Sequence, residues 1–126
     1  MICKVKLPDK VNCKDVIITI GIVPRTPGTL LIFTDPKDWE CYAERMHWLP
    51  LTNAKARAAK RLTLNMAAEL EVIDGQYILL PEELLEYVAR DKEGDIVVHD
   101  YVEYYEKKLG LEPPTKEYQR FIVVVE

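Results

Sequence analysis

Long hydrophobic runs are missing from this chain of 126 residues. No apolar segment approaches the roughly 18 residues that a membrane-spanning helix needs. The first ten residues, MICKVKLPDK, lack the apolar segment of a secretory signal. With 48% hydrophobic and 30% charged residues, the composition predicts one folded domain that makes no membrane contact and stays in the cytoplasm.

Cysteine and histidine are scarce. The three cysteines are an odd number and include no CxxC pair, which favours free thiols in a reducing compartment. Only His47 and His99 could join them as metal ligands, and their spacing fits no zinc site. We therefore expect no metal and no cofactor.

Signs of catalysis are also missing. The five glycines stand singly, so there is no glycine-rich phosphate loop. Cys41 and His47 lie six residues apart on one predicted helix and point to different sides, which disfavours a catalytic pair. The adjacent acids Glu82 and Glu83 stand at a predicted helix start, where they complement the helix dipole. These features predict no enzyme and no small-molecule substrate.

The charge is distributed unevenly. The chain carries a net charge of −4, but residues 1–28 carry +3 and the remaining residues −7. A basic end on an acidic body is compatible with nucleic-acid binding by that end. Ordinary scatter of surface charge is the alternative.

Short β-type segments recur along the chain. Residues 3–7 alternate polar and apolar side chains, whereas residues 16–23 and 121–125 are β-branched and almost uniformly apolar. The turn sequence PRTPG indicates that the second and third strands form a hairpin. The predicted strands are residues 3–7, 16–23, 29–34, 71–73, 77–80, 96–99 and 121–125.

Four helical segments are predicted between the strands. Residues 9–14 form a short helical turn, Asp35 and Pro36 begin a helix that ends before Pro50, and residues 82–89 form another. The longest helix begins at Thr52 or Asn53 and runs to about Leu70. The residues expected to face the core from the two longer helices are Trp39, Tyr42, Ala43, Met46, Ala58, Leu62 and Met66. For residues 101–109 the pattern leaves strand and helix open.

One pattern occurs twice. CKVKLPDKV and QYILLPEELLEYV both consist of an apolar strand, a proline and an acid-bearing segment, and Pro8 and Pro81 hold the same place in the two copies. Each copy is followed by an aspartate and a β-branched strand, at Asp15 and at Asp95. This recurrence predicts two structural halves that share one core. Chance repetition of a common strand–proline–helix pattern is the alternative.

Several stretches in the same order resemble the MraZ family of bacterial cytoplasmic regulators, which are built from two AbrB-like (SpoVT/AbrB) swapped-hairpin repeats. The resemblance covers roughly residues 3–108. It is carried by VIITIGIVPRTPGTLLIFTDPKDWE, by IDGQYILLP, and by TNAKARAAKRLTLNMAAELEV with Asn53, Arg57, Arg61 and Ala67 at family-like positions.

The resemblance implies an α+β fold. Two AbrB-like repeats, at about 1–35 and about 71–109, would close a small pseudo-twofold β-barrel, with a helical pair at about 36–70 packed outside. Residues 110–126 would be a C-terminal extension of this single domain.

The family signature in each repeat is D-x-x-G-R-x-x-x-P, and this chain departs from it. In the second copy Gln76 and Tyr77 stand at the Gly-Arg positions, and the acid is either lost to Ile73 or shifted to Asp74. In the first copy Cys3 and Lys4 stand there. The first strand of that copy is expected to be absent, either because the protein starts short or because residues precede Met1.

In the family the signature arginines face DNA, so the resemblance implies DNA-binding residues at the matching positions. They are Lys4, Lys6, Lys10, Gln76 and Tyr77. Lys4 keeps the positive charge of an arginine without its planar fork. Tyr77 could stack on a base, or it could be a half-buried packing residue.

The basic side of the second helix has three readings. Arg57, Lys60 and Arg61 could contact DNA phosphates, could pair with acids of a neighbouring subunit in a ring, or could be solvated. Arg57 and Arg61 are four residues apart, which favours a structural or interface pair.

The implied function is a DNA-binding transcriptional regulator of cell-division and cell-wall genes. It would act in the cytoplasm, associated with the nucleoid, as a ring-like homo-oligomer on promoter repeats of double-stranded DNA. The alternative is a degenerate scaffold or protein-interaction module that has lost DNA binding. The features that favour the alternative are the missing first loop and the replacement of Gly-Arg by Gln76 and Tyr77. The acids of the stretch 82–106 would also weaken a basic surface.

The terminal strand FIVVV has no family counterpart. An apolar strand with an unpaired edge would aggregate. We therefore expect it to pair where the first strand of the first repeat would lie, or to add to a neighbouring subunit.

Overall fold

The computed structural model of the protein describes residues 3–21, 28–48, 54–90, 92–113 and 115–126. Its strands are β1 (Cys3–Lys6), β2 (Asp15–Gly21), β3 (Thr29–Phe33), β4 (Ala68–Glu71), β5 (Tyr77–Leu80), β6 (Ile96–Asp100) and β7 (Phe121–Val125). Its helices are α1 (Pro36–His47), α2 (Ala54–Asn65), α3 (Glu82–Ala89) and α4 (Tyr101–Glu103), and α4 continues as a π-helical segment (Tyr104–Leu109). The predicted α+β class is confirmed.

The strands form two antiparallel sheets. Five of them lie in the order β4-β2-β3-β7-β6, and β1 pairs with β5 as a separate two-stranded ribbon. Strands β2 and β3 form the predicted hairpin, with Ile18 opposite Ile32.

The two faces of the five-stranded sheet each bury an apolar cluster, because side chains alternate along a strand. Leu30, Ile32 and Val123 face the cluster that also contains β1, β5 and α3. Leu31, Phe33, Ile122 and Val124 face an aromatic cluster with α1, α4 and the π-helical segment. The apolar residues of strands β3 and β7 are therefore covered on both sides of the sheet.

The described strands do not close into one barrel, and that expectation is wrong. Strand β1 lies beside β6 and β5 beside β4. Within the described residues, however, the only backbone pairing at either seam is the bridge between Ile73 and Tyr77. A barrel needs hydrogen bonds along both seams. Here packing of buried side chains such as Val5, Leu7 and Ile78 holds the ribbon in place.

The register of the ribbon is symmetric about one residue pair. Val5 lies opposite Ile78, and the separation of these two in the chain equals that between Pro8 and Pro81. A shift by this same separation converts the pair Lys4–Leu79 into the pair Lys6–Tyr77. The two similar stretches therefore pair as two copies related by a twofold axis between Val5 and Ile78 would pair.

The C-terminal strand β7 lies inside the chain's own sheet. It pairs with β3 on one side and with β6 on the other. Beyond the strand, Glu126 and Asp95 exchange two backbone hydrogen bonds of 2.8 Å. The expectation that FIVVV pairs within the chain is confirmed by these two pairings. Its equivalence to the first strand of the first repeat stays a prediction.

Two helix predictions are wrong. Helix α2 ends at Asn65 and not near Leu70, because residues 68–71 pair with β2 as strand β4. Residues 9–14 form only a turn, closed by a hydrogen bond from Val11 N to Pro8 O. In both places pairing and packing with distant residues override local helix propensity.

The core-facing residues of the helices agree with prediction only in part. Tyr42 and Met46 are buried in α1, and Asp35 caps this helix by accepting a hydrogen bond from Lys37 N at 2.9 Å. In α2, Ala58 is exposed and the side chain of Leu62 lies outside the described part. Thr63 is buried instead. The predicted helix limits at Pro50, Thr52 and Asn53 also lie outside the described residues, as does most of the turn PRTPG.

A buried arginine joins β7 to the segment that the sequence left open. Arg120 lies with its guanidinium carbon 3.5 Å from the ring centre of Tyr101 and 4.4 Å from that of Tyr118. It also donates a hydrogen bond to the backbone oxygen of Tyr118. Stacking between two rings stabilises a desolvated guanidinium, so Arg120 fastens the start of β7 to α4.

Two buried threonines join the end of α2 to β2. The last carbonyl groups of a helix have no partner within the helix. Thr19 of β2 donates its hydroxyl to the carbonyl oxygen of Thr63, and Thr63 donates its own hydroxyl to the carbonyl oxygen of Ile20 at 3.3 Å. The reciprocal bonds fix the helix end against the sheet.

We expect Thr19→Val to lower the free energy of unfolding by about 1–3 kcal/mol, because it leaves the buried Thr63 carbonyl without its donor. Thr29→Val is the matched control, since the Thr29 hydroxyl is buried and finds no partner among the described residues. The control should be neutral or stabilising. Urea unfolding monitored by tryptophan fluorescence measures both, and equal losses would contradict the assignment.

Candidate nucleic-acid interface

The outward side of the ribbon carries two of the predicted DNA-binding lysines. Alternation along β1 and β5 turns Val5 and Ile78 inward and four side chains outward. These four are Lys4, Lys6, Tyr77 and Leu79, and they are called the ribbon face below. The ribbon face is an outward patch with two cations, one aromatic ring and one leucine.

Lys4 is held by two neighbours from the second copy. Its ammonium group donates to the Asp74 carboxylate at 2.6 Å and lies 4.5 Å from the centre of the Tyr77 ring. Lys6 is exposed and sits opposite Tyr77 in the ladder. The predicted residues Lys4, Lys6 and Tyr77 are therefore neighbours in space although the lysines and the tyrosine belong to distant parts of the sequence.

The turn before β5 places Asp74. Asp74 and Gly75 have positive φ angles of 49° and 86°, and two hydrogen bonds between Ile73 and Tyr77 close the turn. Only glycine, asparagine and aspartate adopt such angles readily, which explains why Asp-Gly occurs there.

Gln76 has a structural role at the edge of the ribbon. Its side-chain amide donates to the carbonyl oxygen of Pro8 at 3.2 Å, and its backbone carbonyl oxygen accepts a hydrogen bond from the backbone N–H of Leu7 at 2.8 Å. It is half-buried. The side chain of Gln76 thus already links the end of β1 to the start of β5. Its predicted contact with DNA stays a prediction.

Lys10 is engaged away from the ribbon face. Its ammonium group donates to Asp100 at 2.6 Å, and Asp100 also accepts hydrogen bonds from Gln119 and from the backbone N–H of Glu103. Burial alone would raise the pKa of Asp100, but these hydrogen bonds and the Lys10 charge together lower it. Lys10 thus neutralises a nearly buried carboxylate, and its predicted DNA contact stays a prediction.

The basic residues of α2 are only partly described. Arg57 and Arg61 are exposed and lie one turn apart. The side chain of Lys60 lies outside the described part. The choice between a phosphate contact, a subunit contact and a solvated helix side stays open from this geometry.

Leu79 is the residue of the ribbon face that sequence reasoning missed. It is 43% exposed, whereas its neighbours Ile78 and Leu80 are buried. The run YILL is apolar throughout, so only pairing with β1, whose lysines alternate clearly, could have shown which side faces outward.

Cys41 and His47 are both exposed on α1. Among the described side chains, no group of three or more His, Cys, Asp or Glu could hold a metal ion. A search of the described helices for one long and apolar enough to cross a membrane finds none.

Known proteins resemble part of the chain. No protein-family model matches it. A protein named Transcriptional regulator MraZ from Carboxydothermus hydrogenoformans is 42% identical over 74 residues, which is 58% of this chain and 52% of that protein. The same name is given to similar proteins from Thermomicrobium roseum, 31% identical over 68% of this chain and 61% of that protein, and from Desulforamulus reducens, 38% identical over 61% and 56%.

An α+β chain with an outward lysine pair on a two-stranded ribbon is thus similar, over more than half its length, to proteins named as transcriptional regulators. The chain belongs to the MraZ family. It spans between about half and three-fifths of the length of these curated relatives.

Proposed function

We propose that the protein is a DNA-binding transcriptional regulator, with genes of cell division and the cell wall as its targets. It acts in the cytoplasm in association with the nucleoid. The observation that carries the proposal is the ribbon face, because it brings Lys4 and Lys6 together on an outward surface of two short strands. The names of the relatives support the regulatory role.

A two-stranded antiparallel ribbon suits a DNA groove. The major groove of B-DNA admits a two-stranded antiparallel ribbon. Lysines on such a ribbon contact phosphates as point charges, and an exposed apolar side chain such as Leu79 suits the methyl group of thymine. The half-exposed Tyr77 ring lies beside these groups, opposite Lys6 and with its centre 4.5 Å from the ammonium nitrogen of Lys4.

The symmetric register of the ribbon supports a duplicated unit. In this proposal residues 1–35 and 71–109 are two AbrB-like repeats related by the axis through Val5 and Ile78. The lysines of the first repeat correspond to Tyr77 and Leu79 of the second, so only half of the ribbon face is basic. Each chain would therefore bind weakly alone.

A homo-oligomer compensates for weak single contacts. Several ribbons on one ring would bind successive promoter repeats, and linked sites gain affinity through effective concentration. Arg57, Lys60 and Arg61 of α2 would serve at the subunit interface or on phosphates. The hydrodynamic mass from light scattering tests the oligomer independently of DNA.

Replacement of both ribbon lysines should abolish most DNA binding. We expect Lys4→Ala/Lys6→Ala to weaken binding at least 10-fold per site and to reduce the salt slope by about one to two, since each lost phosphate contact lowers the slope by nearly one and Lys4 must first leave Asp74. Fluorescence anisotropy with direct-repeat duplex DNA at 50 and 200 mM salt measures both.

The matched control for this test is Lys107→Ala/Lys108→Ala. It removes the same charge from two exposed lysines at the end of the π-helical segment. If the control loses as much affinity as the ribbon variant, net charge and not the ribbon face governs binding.

The scaffold alternative is favoured by one observation. Gln76 and Tyr77 stand where the family has glycine and arginine, and Gln76 is used to hold the two strands together. A chain of this kind would keep its oligomer and bind no DNA. Absence of binding at 50 mM salt by an intact oligomer would establish that alternative.

A further inference from the structure

We propose that Asp74 is a built-in competitor of DNA that neutralises Lys4 in the free protein and sets the affinity and salt dependence of the ribbon face. This inference rests on the proposed function. Its basis is the ion pair between Lys4 and Asp74, which joins the strand of the first repeat to the turn of the second across 70 residues.

The geometry makes Asp74 a close mimic of a phosphate oxygen. Its Oδ2 atom lies 2.6 Å from the Lys4 ammonium nitrogen, while the Tyr77 ring covers the same ammonium group at 4.5 Å. A carboxylate and a ring face together satisfy the cation that would otherwise contact the DNA backbone. Among the described contacts, Lys4 has a carboxylate partner and the other lysine of the ribbon face, Lys6, does not.

The ion pair between Lys4 and Asp74 lies at the surface, where its two side chains can separate. The side chains of Lys4 and Asp74 are 46% and 63% exposed, and ion pairs so exposed to solvent are weak and screened by salt. A DNA phosphate can therefore displace the carboxylate. Displacement leaves Asp74 negatively charged beside the DNA, which opposes binding.

The turn backbone makes a clean substitution possible. Asp74 has a φ of 49°, a conformation that asparagine adopts at least as readily as aspartate. Asp74→Asn therefore keeps the turn and the side-chain shape while it removes the charge. Lys4 would then be a free cation over the Tyr77 ring.

We expect Asp74→Asn to bind direct-repeat duplex DNA about 3- to 10-fold more tightly than the unmodified protein at 100 mM salt. The slope of log affinity against log salt should steepen by up to about one, because Lys4 gains a phosphate contact that it previously had to exchange. Fluorescence anisotropy over a salt series measures both quantities on the full chain.

Two further variants separate pairing from net charge. Glu40→Gln removes one negative charge from an exposed position on α1, and it should change affinity much less than Asp74→Asn. In a Lys4→Met background, Asp74→Asn should gain no more than Glu40→Gln does. Equal gains with and without Lys4 would overturn the inference.

The failure of the inference can be told from the failure of the proposed function. DNA binding that requires Lys4 and Lys6 but is unchanged in Asp74→Asn overturns the inference and leaves the regulator. Binding by neither protein at 50 mM salt overturns both. Binding by the unmodified protein that becomes tighter in Asp74→Asn, with the gain lost again in the Lys4→Met background, supports the inference most strongly.

Discussion

Deletion of residues 119–126 should yield a protein that collects in the insoluble fraction. The deletion removes β7 and thereby the hydrogen-bonded partner of both β3 and β6. It also removes four buried apolar side chains, Phe121, Ile122, Val123 and Val124. At about 2 kcal/mol for each side chain, the loss is roughly 8 kcal/mol, comparable to the whole stability of a small domain.

The position of β7 explains why the loss should be cooperative. Phe121 and Val123 pack in the cluster around the ribbon, whereas Ile122 and Val124 pack in the aromatic cluster on the other face. Removal of β7 opens both apolar clusters. It also exposes the edges of β3 and β6, which can then pair with strands of other molecules.

Deletion of Glu126 alone is the control for the longer deletion. It removes only the hydrogen bonds between Glu126 and Asp95 at the sheet end, and its contact with His99. This variant should stay soluble. A soluble, unchanged oligomer after loss of residues 119–126 would show that β7 is dispensable, contrary to the pairing described here.

Alkaline pH should destabilise the fold steeply between pH 10 and pH 12. Burial raises the pKa of Tyr42 to about 12 from an ordinary value of 10, and a side-chain hydrogen bond between Tyr42 and Thr63 opposes this rise only in part. Burial also raises the pKa of Tyr105 and of Tyr118 in the same aromatic cluster.

The direction follows from which state ionises first. In the unfolded chain these tyrosines lose their protons near pH 10, while in the folded protein they stay protonated to higher pH. The stabilisation is therefore complete below pH 10 and is lost as the pH rises through the folded-state values. Tyr42 alone accounts for about 3 kcal/mol, at roughly 1.4 kcal/mol for each unit of pKa.

Urea unfolding at pH 9, 10, 11 and 11.5 measures this loss. Tyr42→Phe removes one ionising group from the cluster, so its free energy of unfolding should fall less steeply over the same range. Tyr105, Tyr118 and Tyr87, whose pKa values burial also raises, contribute to the remaining fall. A curve for Tyr42→Phe parallel to that of the unmodified protein would show that Tyr42 is not the group responsible.

Much of the local structure could be predicted because its causes lie within a few residues. Asp35 and Pro36 start α1 by capping, Asp74 and Gly75 form the turn before β5, and residues 82–89 become α3 as predicted. The β-branched segment 121–125 is a strand for the same reason. Caps, turns and side-chain periodicity act over one or two turns of chain.

Segments whose state depends on distant partners could not be predicted in this way. Residues 68–71 have the composition of a helix but form strand β4, because their backbone pairs with the edge of strand β2. Residues 101–109 are helical because Arg120 and the aromatic cluster pack against them. Propensity differences of a few tenths of a kcal/mol per residue are small beside such pairing.

The candidate site shows the same division. Lys4, Lys6 and Tyr77 could be named in advance from the recurring pattern and the family signature. The engagement of Lys10 by Asp100 and of Lys4 by Asp74 could not, since these partners are 90 and 70 residues away. Exposure of Leu79 follows from the register of β1 against β5 and from nothing local.

The sequence by itself determined the α+β class, most strand and helix positions, the recurrence of the strand–proline pattern at Pro8 and Pro81, and the lysines near the start of the chain. These features depend on the order of neighbouring side chains. Only the tertiary structure decided that the ribbon stays separate from the five-stranded sheet, that β7 fills the sheet between β3 and β6, and which cations are neutralised. Those outcomes depend on which distant groups come within bonding distance, and chain entropy allows that only when the whole core packs at once.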